Sequence, residues 1–186
     1  MLSKPWLPPI PYVFTPTDDP ESYRDMKPGY TGLPMGDHPG AFGYRRKNHV
    51  HEGVDLYCPE GTPVVAVEDG MVAAIIDFTG EHAEPPSPWW HNTKAVLVEG
   101  DSGVVVYGEI ELAFAYWPGD LIKAGDLIGN VIPVLKKDKG RPMTMLHLEL
   151  HKHGTKDAYE WTLDGQRPPS LLDPTRYLLG GIEGDD

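Results

Sequence analysis

Three side chains of the kind that bind a transition metal stand out. His51 and Asp55 lie in the run His51-Glu52-Gly53-Val54-Asp55, and His147 lies in Met145-Leu146-His147-Leu148-Glu149. Imidazole nitrogen and carboxylate oxygen suit zinc, and three protein ligands leave the fourth position that a catalytic zinc uses to hold water. The pattern therefore predicts a zinc cofactor and hydrolytic chemistry. His51 with Asp55 alone is a weak signal, because that spacing recurs by chance. Its context strengthens it: Gly53, Leu56 and Gly61-Thr62-Pro63-Val64 follow, and the distant His147-Leu148-Glu149 supplies the third ligand. A lone histidine is more often a hydrogen-bonded structural group, and His38, His82, His91 and His153 are read that way.

These residues need strands to present them. Successive strand residues face opposite sides, so Met145, His147, Glu149 and His151 are expected on one face and Leu146, Leu148 and Leu150 on the other, in the core. His147 then lies on an open face beside Glu149, which is placed to orient an imidazole as metal sites require. In Val104 to Ile110 the same rule puts Tyr107 and Glu109 together, with Glu109 presented rather than buried. Pro63 to Val67, the turn Glu68-Asp69-Gly70 and Met71 to Ile76 read as a hairpin. Lys94 to Glu99 and Val104 to Tyr107, around Gly100 to Gly103, read as a second. Leu127 to Ile132 and Met143 to Leu150 add two strands, and Thr79 to Thr93, with Trp89 and Trp90, is a long loop. No stretch carries a sustained 3.6-residue period, so the fold class is all-β, an antiparallel β-sandwich or partly open barrel.

The chain has 186 residues, of which 40% are hydrophobic, with 21 glycines and 20 prolines. That length fits one domain with extensions, and the turn-rich composition favours short strands. Residues 1–40 are rich in proline and predict an extended N-terminal arm, residues 41–180 the domain, and residues 181–186 an acidic tail. The formal charge of −12 repels phosphate backbones, so nucleic acid is a poor partner. Cys58 is alone, which rules out an intrachain disulfide. Met1 to Phe14 is broken by prolines and lacks the apolar run of a secretory signal, and no later stretch is long enough to span a bilayer. As it stands the sequence predicts a cytoplasmic chain, or a periplasmic or extracellular one if it is a processed form. Nothing in it sets an oligomeric state.

Phe42-Gly43-Tyr44-Arg45, His51 to Leu56, Gly61-Thr62-Pro63-Val64, Asp69-Gly70, Tyr107-Gly108, Gly119-Asp120 through Ile128-Gly129, His147-Leu148-Glu149 and Asp173-Pro174 follow one another in the order of the lysostaphin/LytM-type zinc metallopeptidases. The resemblance spans about Phe42 to Leu178. It implies zinc held by His51, Asp55 and His147, a duplicated hybrid-motif barrel or sandwich with a groove on one sheet, and a peptide or peptidoglycan-like substrate. Related enzymes are similar in having inhibitory pro-segments, so two placements of the arm are open: packed on the far side of the domain, or covering the groove with Asp37 or His38 near the metal. Glu149, Tyr107 and His151 are expected to support the ligands or line the groove.

The departures from the family are equally specific. Its two non-ligand histidines fall on Glu109 and Met145. Such groups polarise the water and stabilise the oxyanion, and losing one costs ~10²–10⁴ or ~10²–10³ in rate. A carboxylate at Glu109 is a workable general base in metallohydrolases, whereas the Met145 thioether is not. The resemblance thus implies a zinc-binding domain that is either a slow hydrolase using Glu109 or a degenerate binder that kept its metal. An alternative of another class is the glucose-type phosphocarrier domain of the sugar phosphotransferase system, in which Asp55 would have no role. A lipoyl-type carrier, suggested by Gly119 to Gly125, lacks a lysine at a hairpin tip.

Overall fold

The computed structural model describes residues 5–180, so the acidic tail expected at 181–186 lies outside the described residues. The expected all-β class is the one adopted. Thirteen strands succeed one another: β1 (Val13–Thr17), β2 (Tyr30–Pro34), β3 (His49–Val50), β4 (Val54–Tyr57), β5 (Pro63–Val65), β6 (Gly70–Thr79) and β7 (Thr93–Gly100), followed by β8 (Gly103–Leu112), β9 (Leu121–Ile122), β10 (Leu127–Val131), β11 (Met145–His151), β12 (Trp161–Thr162) and β13 (Leu171–Leu172). A short helix α1 (Thr175–Leu178) closes the described chain. No helix among the described residues is long and apolar enough to cross a membrane.

The main sheet runs β13-β11-β8-β7-β6-β9, with β4 on the free part of β11 and β10 joining β8 to β5. All its pairs are antiparallel and it does not close into a barrel; among the described residues the one parallel pair, β1 with β2, lies in the N-terminal segment. That segment shares the core, since Trp6, Ile10 and Leu33 are buried in the same cluster as the strands.

Strand alternation does most of the building. Leu146, Leu148 and Leu150 are fully buried with Val96, Val98, Val105 and Tyr107 in the principal core, each worth ~1.5–3 kcal/mol of transfer free energy. On the opposite face of the sheet, Ala95, Leu97, Val104 and Val106 form a second apolar cluster against Ala73, Ala74, Ile76 and Phe78. His147, Glu149 and His151 lie on that second face, opposite Gly108, Val106 and Val104 of β8.

The second hairpin forms as expected, β7 turning into β8 with Gly100 opposite Gly103. The first does not, because β5 pairs with β10 and β6 pairs with β7 and β9. The amides that a hairpin would have used are bonded elsewhere: Val65 to Pro9 O, Ala66 to Asp126 O and Val67 to the Tyr107 hydroxyl. Alternation identifies a strand; its partner depends on chain far away in sequence.

Candidate metal centre

Asp55 on β4 stands directly opposite His147 on β11, and residues paired across antiparallel strands share a face. His51 enters from the segment just before β4. His51 Nε2 lies 3.1 Å from Asp55 Oδ1 and 3.3 Å from His147 Nδ1, and His147 Nδ1 lies 2.9 Å from Asp55 Oδ1. Among the described residues, these three form the one group placed to hold a metal ion.

The outward bonds of the two rings determine what faces inward. His51 Nδ1 donates to Ala41 O at 3.0 Å, and His147 Nε2 donates to Glu149 Oε1 at 2.8 Å. With those tautomers, assigned from the network, His51 Nε2 and His147 Nδ1 both turn bare lone pairs toward the Asp55 oxygen. Three acceptors within van der Waals reach repel one another unless a cation joins them. A tetrahedral ion with bonds of ~2.0–2.1 Å spaces its ligand atoms ~3.3 Å apart, close to the separations seen. The residues present therefore fit a small divalent cation.

The surrounding charges support the same reading. Burial would push the Asp55 carboxyl up, but the charges of His51 and Arg46 and the imidazole hydrogen bonds hold it well below the ordinary range. Arg46 Nη2 grips the other carboxylate oxygen, Asp55 Oδ2, at 2.7 Å and also bonds Pro39 O. His51 is lowered by burial. Burial opposes protonation of His147 too, yet hydrogen bonds to Asp55 and Glu149 raise it, so a proton can take the cation's place on that ring.

The face expected to be open is closed. His147, Glu149 and His151 are only 5%, 3% and 0% exposed; the link from His51 to β4 lies against the first two, and Ser170 and Leu171 against His151. A Cβ on Gly53 would sit 2.4 Å from Leu148 O and 3.0 Å from His147 Nε2, so only glycine permits that approach. Phe78 forms a further wall, its ring 5.4 Å from that of His147.

Glu149 uses both oxygens, accepting from His147 and, through Oε2, from His151 Nε2 at 2.7 Å. Tyr107 does not line the groove. It faces the core, where its hydroxyl accepts from Val67 N at 3.0 Å. Strict alternation would have carried Glu109 into the core beside it. Instead β8 bulges there: Gly108 pairs with Ala95 and Ile110 with Lys94, leaving Glu109 as the extra residue at φ 64°. Ile110 takes the core position.

Glu109 is half-buried, less open than the strand pattern predicts. Its Oε2 is enclosed and has no hydrogen-bond partner among the described residues. Burial, with the Asp55 charge nearby, pushes this carboxyl up to about 8. It feels His147, Arg46 and Glu149 as well, yet stands outside the cluster of three ligand atoms. Met145 pairs with Tyr57 at the next position along β11 on the His147 face.

Asp37 is exposed, whereas His38 is buried, accepts from Gly40 N and packs 5.8 Å from the Tyr57 ring. Gly40 O in turn accepts the Asp55 amide. His153 bonds Gly100 O. Sequence reasoning missed Arg46, Ala41 and Phe78. Arg46 sits in a basic run that composition reads only as charge, and a backbone carbonyl such as Ala41 O leaves no sequence signal.

The sequence model of peptidase family M23 matches residues 49–158. No curated protein matches the sequence. Among solved structures, the chain resembles an M23 peptidase from Pseudomonas aeruginosa at 16% identity and TM-score 0.42, over 78% of this chain and 49% of that one. It thus spans about half the length of that relative. It also resembles the catalytic domain of the antimicrobial peptidase lysostaphin from Staphylococcus simulans, with 17% identity and TM-score 0.48 over 87% of this chain and 98% of that one. A variant catalytic domain of a prophage-encoded M23 protein from Enterococcus faecalis is 22% identical, with TM-score 0.47 over 73% of this chain and 90% of that one. Neither the phosphocarrier nor the lipoyl alternative finds support, and the family match covers more than half of the chain and both ligand-bearing segments: the chain belongs to peptidase family M23.

Proposed function

We propose that this chain is a zinc peptidase domain directed at cell-wall cross-link peptides, holding zinc through His51, Asp55 and His147, with slow hydrolysis that depends on Glu109. Zinc at such a site supplies Lewis acidity, activating a water and polarising a carbonyl. The observation that carries the reading is the Glu109 carboxyl: half-buried, with Oε2 enclosed and unpartnered among the described residues, and beside the ligands without being one of them. A group so placed has a free acceptor for a proton from an attacking water. A cation at the centre favours its ionised form.

Slowness follows from the same geometry. In the metal-free chain this carboxyl is raised to about 8 by burial and the Asp55 charge, so at neutral pH it depends on the cation to act as a base. Met145, on the His147 face of β11, has no proton to give a developing oxyanion. A second reading, a peptide binder that keeps its metal without turnover, draws on Met145 and on the burial of the ligands, which are 0%, 4% and 5% exposed.

Zinc content and peptide cleavage of the native, His147→Ala and Glu109→Gln proteins test this. The native chain is expected to carry one zinc and to cleave glycine-rich cross-link peptides well below ~1 s⁻¹. His147→Ala should lose the zinc, and Glu109→Gln should keep zinc and lose cleavage. Full zinc in His147→Ala overturns the ligand assignment. Unchanged cleavage in Glu109→Gln removes the base, and zinc without any cleavage in the native chain selects the binder.

A further inference from the structure

Behind His147 runs a chain of buried hydrogen bonds that the proposed hydrolysis does not use. His147 Nε2 meets Glu149 Oε1 at 2.8 Å, Glu149 Oε2 meets His151 Nε2 at 2.7 Å, and His151 Nδ1 meets Ser170 Oγ at 2.9 Å. Every proton in it can be placed. If His147 Nδ1 is the ligand atom, its Nε2 carries the hydrogen and donates to Glu149. A carboxylate has no hydrogen of its own, so His151 must donate its Nε2 hydrogen to the second oxygen. His151 Nδ1 is then bare, and the Ser170 hydroxyl donates to it. Three charged or polar members of this chain are at most 5% exposed, so water cannot substitute for a missing partner.

The last link is specific to this part of the molecule. Ser170 lies beyond residues 49–158, the stretch matched by the family model. It is brought to β11 by β13, where His151 pairs with Leu171 and Leu150 with Leu172, and by the bond from Lys152 N to Ser170 O at 2.7 Å. The segment before α1 thereby reaches a metal ligand through two side chains.

We propose that His151 and Ser170 are positioning residues of the metal centre, acting through Glu149 to lock His147 as an Nδ1 ligand. This inference rests on the zinc reading of the site. Outer partners of ligating histidines fix ring orientation and tautomer, and their loss costs ~10–100-fold in metal affinity. His151→Phe keeps a ring but leaves Glu149 Oε2 buried and unpartnered. His151→Gln restores an N–H donor at about the same reach. Ser170→Ala removes only the outermost donor, from a half-buried position.

The experiment measures zinc affinity by chelator competition, and the visible absorption of the cobalt(II)-substituted protein, for the native chain and these three variants. His151→Phe is expected to bind zinc ~10–100-fold more weakly and to change the cobalt spectrum. His151→Gln should return most of the affinity and the native spectrum, and Ser170→Ala should show a smaller change in the direction of His151→Phe. A merely structural role would move melting temperature without moving the spectrum. A native chain that binds zinc while a folded His151→Phe matches its affinity and spectrum overturns this inference alone; should His151→Phe fail to fold, an unaltered spectrum and affinity in Ser170→Ala overturn it. A native chain that binds neither ion overturns the zinc reading and this inference with it.

Discussion

Glu109 and Glu149 are two carboxyls on neighbouring strands, one half-buried with an enclosed oxygen and one fully buried, and they end in opposite states. Glu149 sits on the regular strand β11, where alternation aims both oxygens at imidazole N–H groups. Burial would push it up, but those two bonds hold it down at about 2. Glu109 sits on the bulge of β8 at φ 64°, where Oε2 has no partner among the described residues, and burial pushes it up to about 8. Burial acts on both in the same direction. What separates them is the supply of donors, which depends on whether the strand keeps its register or breaks it. The regular strand gives its carboxyl two imidazole donors, and the bulged one leaves an oxygen of Glu109 with none among the described residues.

The largest expected effect comes from erasing the difference at the bulge. Glu109→His together with Met145→His returns the histidines that the lysostaphin-type pattern places there. Cleavage of cross-link peptides should rise by ~10² or more, with each substitution alone giving much less because the two groups act as a unit. A double variant no faster than the native chain would show that something besides these two groups limits turnover.

Next in size is an exchange of carboxyl for amide at each position. Glu149→Gln puts an amide N–H against an imidazole N–H and removes the charge that two imidazoles face, a loss of ~3–5 kcal/mol by analogy with broken buried pairs. Glu109→Gln replaces a protonated acid with a group of the same shape and should stay within ~1 kcal/mol of the native chain below pH ~4.3, where the native carboxyl is protonated both folded and unfolded. Urea unfolding of the metal-free proteins measures both. Equal losses would mean that the two carboxyls are not in different states.

A smaller effect appears in the pH dependence of the same two proteins, in excess chelator. Because Glu109 is raised in the folded chain to about 8, the folded state keeps a proton that the unfolded state loses above its ordinary carboxyl pKa of ~4.3. The native chain is therefore expected to lose stability relative to Glu109→Gln as pH climbs from that value toward 8, and to show no difference below it. Glu149 runs the other way: lowered to about 2, its contribution is complete above the ordinary value and is lost as pH falls toward 2. A stability difference between native and Glu109→Gln that stays constant from pH 5 to 8 would contradict the raised value.

How far these features could be read from sequence follows from the range of the interactions that make them. The convergence of His51, Asp55 and His147 was legible, because the first two are close in sequence and His147 sits on a clean alternation with Leu146, Leu148 and Leu150. The hairpin of β7 and β8 was legible for the same local reason. The pairing of β5 with β10 was not, since the amides of Val65 to Val67 are satisfied by Pro9, Asp126 and Tyr107, all remote in sequence. The closed face over His147 was missed because it is made by a glycine, and Gly53 shows its purpose only when Leu148 O lies against it. The bulge at Glu109 left no mark in the alternation of Val104 to Ile110, which is why Tyr107 and Glu109 were read as sharing a groove.

Tyr107 offers the smallest and sharpest test of the bulge. If β8 were regular through Glu109, Tyr107 would share its face, and removing the hydroxyl would disturb the metal site or the substrate. In the bulged strand Tyr107 is 1% exposed in the principal core, and its hydroxyl serves the Val67 amide. Tyr107→Phe strips that amide of its partner in a dry region, a loss of ~1–3 kcal/mol. Zinc affinity and the low rate of cleavage should both stay at native values, since the ring still fills its place between β8 and the rest of the core. A drop in either, without the loss of stability, would place Tyr107 on the site face and would mean that Glu109 owes its position to a regular strand rather than to the bulge.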